Sequence, residues 1–178
     1  ACRSVFLQSE VFIITLGLNE CWEFIPDGTI ASRNPKSKHS YPLFRHKTLT
    51  VRENHEALQL FLDILKKHNP NLQLIVTISP IPFLATGRAY DTHVVTANEH
   101  SKAVLRVAAE DFCAANEDAH YFPSYEMISR CIQYPWLSDQ RHVSDTAIKQ
   151  VMELFEKMYL DDNKNKIDWA EAGISKTA

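Results

Sequence analysis

Apolar runs and helical spacing alternate along the chain and predict its main elements. Unbroken runs of apolar and β-branched residues lie at 11–16, 72–79 and 119–123. Strands of this kind are normally covered on both faces, so the runs predict strands of a parallel sheet. Apolar residues at the spacing of one helical face lie at 51–68, 98–115 and 144–158. A strand, a crossover helix and a second strand form a parallel βαβ unit, so the predicted fold class is α/β.

The segments between these elements carry capping and breaking signals. Thr50 and Glu53 have the spacing of a capping box before the first long helix, and Ser144 is a cap for the last one. Residues 24–47 contain three prolines and an Asp-Gly pair, which predicts a loop. We expect one domain over residues 1–160, followed by a charged and flexible tail at 161–178.

Composition narrows the function classes. The chain has 178 residues and a net charge of −3, and its basic residues are scattered, so no nucleic acid partner is expected. The longest apolar run, at 11–16, is too short to span a bilayer, and no signal-peptide pattern is present. Only four glycines occur and no phosphate-binding glycine loop can be read, so no nucleotide cofactor is expected.

The cysteines and histidines do not indicate a metal site. None of the four cysteines forms a C-x-x-C pair, and His55 and His68 do not make a metal-binding face. A chain with this much apolar sequence does not need disulfides, so we expect free thiols in a reducing compartment. The expected location is therefore the cytoplasm, with neither metal nor cofactor.

Ligand sites of parallel sheets lie at the carboxyl ends of the strands, where several polar residues follow the predicted strands. Gly17, Asn19 and Glu20 follow the first strand; glycine permits close backbone approach, and an asparagine amide can donate to an oxyanion. Ser79 ends the second strand. Ordinary strand-to-loop turns remain the alternative interpretation for each of them.

The third strand is followed by Tyr125 and Glu126, for which a packing tyrosine and a solvated acid are the alternative. Further on, Asp139 and His142 form a D-x-x-H pair just before the last helix. A carboxylate one turn from an imidazole can hold one ring nitrogen and leave the other to accept a proton from a hydroxyl. A surface turn with a capping aspartate is the alternative here.

Four segments in register lie at 15–22, 77–82, 101–106 and 121–126. Together they resemble segments of GSCFA-domain proteins, a branch of the SGNH (GDSL-like) hydrolase superfamily. Residues 15–22 (TLGLNECW) resemble the family's TLG-x-x-E-x-W segment. The others are TISPIP at 77–82, SKAVLR at 101–106 and YFPSYE at 121–126, which resemble TVSPVP, SKSVLR and YFPSYE. Order and spacing agree from about Val5 to Phe155.

The resemblance implies a three-layer α/β/α fold and a Ser-His-Asp triad. The family's D-x-x-H block falls on Asp139 and His142, and its G-x-N-D block falls on Gly17 and Asn19. Glu20 stands where aspartate is usual, which puts the role of that position in doubt. The family's nucleophile lies in a Gly-Ser-Cys-Phe-Ala motif that this sequence lacks.

Two explanations for the missing motif remain open. The chain is a C-terminal part whose first two strands and serine lie upstream, or it is a degenerate relative that binds a ligand or uses another serine such as Ser79. The implied activity is that of a serine esterase or O-acyltransferase on a small-molecule or glycan ester, with a non-catalytic binding or assembly module as the alternative. An upstream segment, a second copy or another chain would cover the open sheet.

Overall fold

The computed structural model describes residues 2–31, 34, 35, 37 and 39–160, with residues 2 and 3 described for their backbone alone. The charged tail expected at 161–178 lies outside the described residues. The elements in chain order are α1 (Cys2–Gln8), β1 (Val11–Leu16), β2 (Glu20–Phe24), β3 (Phe44–Thr48), α2 (Val51–His68), β4 (Gln73–Ile78), α3 (Val94–Ala115), β5 (Ala119–Phe122), α4 (Ser124–Glu126) and α5 (Asp145–Tyr159). A 3₁₀ turn at Tyr41–Leu43 precedes β3, and a π-helical turn at Met127–Cys131 follows α4.

The three predicted strands form one parallel sheet in the order β1-β4-β5. Ile13 lies beside Ile75 in the register of β1 and β4, and Thr77 lies beside Phe122 in that of β4 and β5. With helices on both faces, the molecule has the predicted α/β architecture. The capping box of Thr50 and Glu53 and the cap of Ser144 are also confirmed.

One face of the sheet, here called the closed face, packs against α2 and α3. Leu74 and Val76 of β4 are fully buried there against Leu62 of α2 and Phe112 of α3. Because side chains alternate along a strand, Phe12 and its even-numbered neighbours in β1 join the same cluster. This face supplies the larger apolar core of the described residues.

The opposite face, here called the open face, is covered by α5. Leu154 of α5 packs on Ile75 and Phe122, with Phe155 edge-on to the Phe122 ring. Farther across the sheet, Ile13 of β1 is 51% exposed. Among the described residues, β4 is the only strand that pairs with β1, so the outer edge of β1 is unpaired.

The prediction of a loop over residues 24–47 is wrong at both ends of that range. Glu20–Phe24 and Phe44–Thr48 form an antiparallel ribbon, in which Glu23 pairs with Arg45 and Trp22 packs edge-on against His46. The ribbon escaped prediction because β3 is polar and the two strands are held by cross-strand pairs.

Two helix boundaries also differ from the sequence prediction. Helix α3 begins at Val94 rather than at residue 98, because the side chain of His93 caps it by accepting from the backbone N–H of Val95. Helix α1 was not predicted; it is tied down where the Asn69 amide donates to the carbonyl oxygens of Phe6 and Ser9.

No helix in the described part of the chain has the length and apolarity needed to cross a membrane. The thiols of Cys21, Cys113 and Cys131 are free, as predicted, whereas the side chain of Cys2 is outside the description.

Candidate active site

Asp139 and His142 lie on a tight loop that leads into α5. The loop is closed by backbone bonds from the N–H of Leu137 to the carbonyl of His142 (2.7 Å) and from the N–H of Ser144 to the carbonyl of Pro135 (2.8 Å). Gln140, between the two residues, adopts a left-handed conformation with φ of 55°. That bend places carboxylate and imidazole on the same side of the loop, as the D-x-x-H spacing predicted.

The Asp139 carboxylate holds His142 by two routes. Its Oδ1 accepts from the backbone N–H groups of Arg141 (3.0 Å) and His142 (2.9 Å), and its Oδ2 is hydrogen-bonded to Nδ1 of the His142 ring. The hydrogen bond to the imidazole, followed by the backbone bonds, lowers the pKa of Asp139 to about 2. Asp139 is therefore ionised at neutral pH and can only accept, so Nδ1 carries the proton.

The second ring nitrogen of His142 is left available. Its side chain is 64% exposed, and Nε2 has no hydrogen-bond partner among the described residues. An imidazole protonated at Nδ1 presents a lone pair at Nε2, which is the arrangement of a general base.

His142 also lines an apolar pocket of about 410 Å³ on the open face. Its walls come from the residues after β4, from the residues after β5 and from the first turns of α5; they include Pro80, Ile81, Ser124, Ile148 and Met152. The imidazole thus lies beside the residues that follow the carboxyl ends of β4 and β5.

Ser79 and Ser124 are serines that follow β4 and β5 at this edge of the sheet. The Ser79 hydroxyl accepts from the backbone N–H of Ile81 (3.3 Å). The Ser124 hydroxyl, not singled out from the sequence, is bonded to the Thr77 hydroxyl (2.6 Å) and donates to the Ile78 carbonyl (3.1 Å). Within the described residues, neither hydroxyl is hydrogen-bonded to His142.

Asn19 does not have the exposure expected of an oxyanion donor. The residue is 1% exposed, and its Nδ2 donates to the carbonyl of Leu49 at 2.9 Å. Its backbone N–H donates to the Ser101 hydroxyl at 2.8 Å. Asn19 therefore ties the turn after β1 to the residue before the cap of α2, and its side-chain amide is buried rather than presented at the surface.

Glu20 is directed toward the loop that follows β4. Its carboxylate accepts from the Thr86 hydroxyl (2.6 Å) and the Gly87 N–H (3.0 Å) and lies 3.1 Å from Nε2 of His46. These three contacts occupy both oxygens, so Glu20 anchors the 80–93 loop to the ribbon rather than facing the His142 pocket.

Tyr125 and Glu126 belong to the other side of the molecule. Glu126 accepts from the hydroxyl of Tyr121 and from Nε of Arg106 (2.7 Å), and the Arg106 guanidinium stacks on the Tyr121 ring at 4.1 Å. Tyr121 and Arg106 belong to the closed face, so Glu126 is a structural ion-pair partner there and not a solvated acid. The pKa of Tyr125 is raised, chiefly by burial and then by the negative charge of Glu99 of α3.

Lys102 of α3 is a second residue that sequence reasoning passed over. It is 1% exposed, and its Nζ donates to the carbonyl of Gly17 at 2.8 Å. Burial lowers the pKa of Lys102 to about 8, with Glu99 opposing the shift. The signal was its position in the SKAVLR segment beside Ser101, but an isolated lysine on a helix normally indicates a solvated side chain.

No cluster of three or more His, Cys, Asp or Glu side chains suited to a metal ion occurs in the part of the chain that the structure describes.

These features define an α/β protein with a carboxylate–imidazole pair at the carboxyl edge of a parallel sheet. The chain belongs to the GSCFA family, whose sequence model matches residues 1–155. This match confirms the family that the four sequence segments indicated.

A solved structure to which this chain is similar is an acetyl xylan esterase (Est2A) from the rumen bacterium Butyrivibrio proteoclasticus. The identity is 17% and the TM-score is 0.41, with 85% of this chain and 36% of that protein covered. The chain thus spans little more than a third of that esterase. Comparison with curated proteins gives no match.

Proposed function

We propose that this chain supplies the histidine and aspartate of a Ser-His-Asp triad in a serine esterase or O-acyltransferase, with the serine outside the chain. The substrate class we assign is an O-acetyl ester, carried by a carbohydrate or another small molecule. The observation that supports this function best is the free Nε2 of His142, on a ring that Asp139 holds at Nδ1.

In the proposed reaction, the serine hydroxyl attacks the ester carbonyl while Nε2 of His142 takes its proton. The charged imidazole is stabilised by Asp139, and the same proton then goes to the departing alcohol. The resulting acyl-enzyme is released by water in hydrolysis or by an acceptor hydroxyl in transfer, with His142 again removing the proton from the attacking group.

The open face supports an origin of the serine beyond β1. The outer edge of β1 is unpaired among the described residues, and Ile13 and Val11 beside it are about half exposed. Unpaired strand edges with apolar side chains recruit further strands. A serine-bearing strand added there would end at the same sheet edge as β1, beside the pocket that contains His142.

The test measures turnover of p-nitrophenyl acetate and of an acetylated sugar by the longest natural protein that contains this chain. His142→Ala should lower turnover by several orders of magnitude, because base and nucleophile act as a unit. The matched control is His100→Ala on the exposed side of α3, which should retain wild-type turnover.

A fluorophosphonate probe applied to the isolated 178-residue chain completes the test. We expect no adduct, because a serine hydroxyl without a partnered base is a poor nucleophile. A stoichiometric adduct on Ser79 that disappears in His142→Ala would contradict the external serine. Near-wild-type turnover by His142→Ala in the longer protein would contradict the mechanism itself.

A further inference from the structure

The burial of Lys102 requires an explanation that the triad does not provide. A buried ammonium group is costly unless it is paired. Among the described residues Lys102 forms no salt bridge, and the acceptor of its Nζ is the Gly17 carbonyl at the end of β1. The ring of Phe83 lies 6.0 Å from the same nitrogen. The charge is therefore used to hold one peptide group of the turn after β1.

That contact determines the direction of the next amide. The peptide between Gly17 and Leu18 is trans, and in a planar trans peptide the carbonyl and the N–H point in opposite directions. Because the Gly17 carbonyl points inward to Lys102, the Leu18 N–H points outward. Leu18 is 53% exposed, and its N–H has no acceptor among the described residues.

Ser101, the residue before Lys102 in α3, fixes the next peptide group, between Leu18 and Asn19, with its N–H pointing inward. The Ser101 hydroxyl accepts from the N–H of Asn19 at 2.8 Å, so that amide points inward. Two consecutive side chains of α3 thus bind two successive peptide groups of the turn, and the Leu18 N–H is the donor between them that points outward. A carbonyl bound to an ammonium group is polarised, which strengthens donation from the N–H of the same peptide.

The space beside the α carbon of Gly17 is open. A Cβ built on Gly17 would meet no atom within 4 Å, and Gly17 is not among the glycines with positive φ. The glycine is therefore not required by backbone strain or by packing against the described residues. Its absent side chain leaves the approach to the Leu18 amide clear.

We infer that Lys102 is a positioning residue that orients the Leu18 amide to donate to the oxyanion of the ester intermediate. The inference rests on the proposed function and assigns to the backbone the role first expected of the Asn19 side chain. The ligand class is a tetrahedral oxyanion, bound at the carboxyl end of β1.

One amide can be observed selectively in this chain. Gly17–Leu18 is the one Gly-Leu pair of the 178-residue sequence, so carbonyl-¹³C glycine with ¹⁵N leucine gives a single correlation in a carbonyl–amide NMR experiment. The probe is methylphosphonate, a tetrahedral anion. We expect a saturable shift of the Leu18 amide in the wild-type chain and in His142→Ala.

Two variants test the role of the Leu18 amide in different ways. Lys102→Met removes the contact to the Gly17 carbonyl, whereas Gly17→Ala leaves that contact and places a methyl group beside the amide. Each should weaken methylphosphonate binding at least tenfold, and the surface control Lys149→Met should not change it. If Lys102→Met does not fold, Gly17→Ala decides the outcome alone.

In the longer natural protein, each variant should lower kcat for p-nitrophenyl acetate by about 10²–10³-fold with little change in KM, as expected for loss of an oxyanion donor. No saturable Leu18 shift in the wild-type chain would overturn the inference and leave the triad untouched. Full kcat in Gly17→Ala, with His142→Ala inactive, would also overturn it. Activity retained by His142→Ala would instead overturn the proposed function.

Discussion

The closed and open faces share the same three strands but treat their polar groups in opposite ways. On the closed face, Glu126 is fully used by Arg106 and Tyr121, beside a core in which Leu74 and Val76 are inaccessible. On the open face, Asp139 holds His142 by one ring nitrogen and leaves the other in solvent. Polar groups with every partner present stabilise a fold, whereas a group left with a free lone pair is available for chemistry.

The largest expected effect is on activity, which should depend on the Asp139 carboxylate and not on the Glu126 carboxylate. Asp139→Asn removes the acceptor that fixes the imidazole tautomer, so kcat of the longer natural protein should fall by about 10⁴-fold. Stability should change little, because both Asp139 and His142 are exposed. Turnover of p-nitrophenyl acetate and urea unfolding measure the two quantities. Near-normal kcat would show that the exposed pair is an ordinary surface turn.

The next largest effect is on unfolding free energy, which should fall more when an apolar side chain is removed from the closed face than from the open face. In the isolated chain, Leu74→Ala empties a fully buried site and should cost about 2–5 kcal/mol of unfolding free energy. Ile13→Ala, at a half-exposed site on the neighbouring strand, should cost about 1 kcal/mol or less.

Repeating Ile13→Ala in the longer natural protein sharpens this second comparison. If a serine-bearing strand covers the open face, the cost there should rise toward that of Leu74→Ala. Equal costs for Ile13→Ala in the two proteins would argue against a covering segment at β1.

The buried charge on the closed face predicts a pH dependence. The folded chain holds the pKa of Lys102 at about 8, below its ordinary value of 10.5. Between these pH values the unfolded chain binds more protons, so stability rises with pH. The wild-type chain should therefore gain up to about 3 kcal/mol relative to Lys102→Met between pH 8 and 10.5.

Urea unfolding at a series of pH values measures that difference. Groups such as Cys113, whose burial raises its pKa to about 11, titrate alike in both proteins and cancel. A difference in stability that stays flat across this range would mean that Lys102 is solvated in the folded chain and keeps its ordinary pKa of 10.5.

The smallest effect is expected at Glu126, the carboxylate whose oxygens accept hydrogen bonds from Arg106 and Tyr121. Glu126→Gln weakens the bonds to Arg106 and Tyr121 and should cost about 1–2 kcal/mol of unfolding free energy. Glu110→Gln, at the more exposed partner of the same arginine, should cost about 0.5 kcal/mol or less. Turnover should be unchanged in both, and a large loss of activity in Glu126→Gln would place that carboxylate in the site after all.

Sequence reasoning succeeded where the signal was local. The strands, the two helix caps and the D-x-x-H pair each involve neighbouring residues, so periodicity and spacing were sufficient. It failed where partners are distant along the chain. Asn19 is buried by Leu49 and Ser101, 30 and 82 positions away, and nothing near Asn19 in the sequence indicates either contact.

The ribbon and the buried lysine show the same limit. Polar strands such as Phe44–Thr48 carry no hydrophobic alternation, so their pairing depends on cross-strand contacts that only the fold creates. Lys102 has the sequence context of a surface residue, and its role depends on how α3 passes behind the turn after β1.

The anchoring of the 80–93 loop by Glu20 has an evolutionary consequence. A Cβ on Gly87 would lie 2.1 Å from Cδ2 of His46, so no residue with a side chain fits at position 87 while that imidazole remains in place. We therefore expect the two positions to covary among homologues. A lineage that lost the glycine would have to replace His46 with a smaller residue first, and the order of those two substitutions should be recoverable from the family's phylogeny.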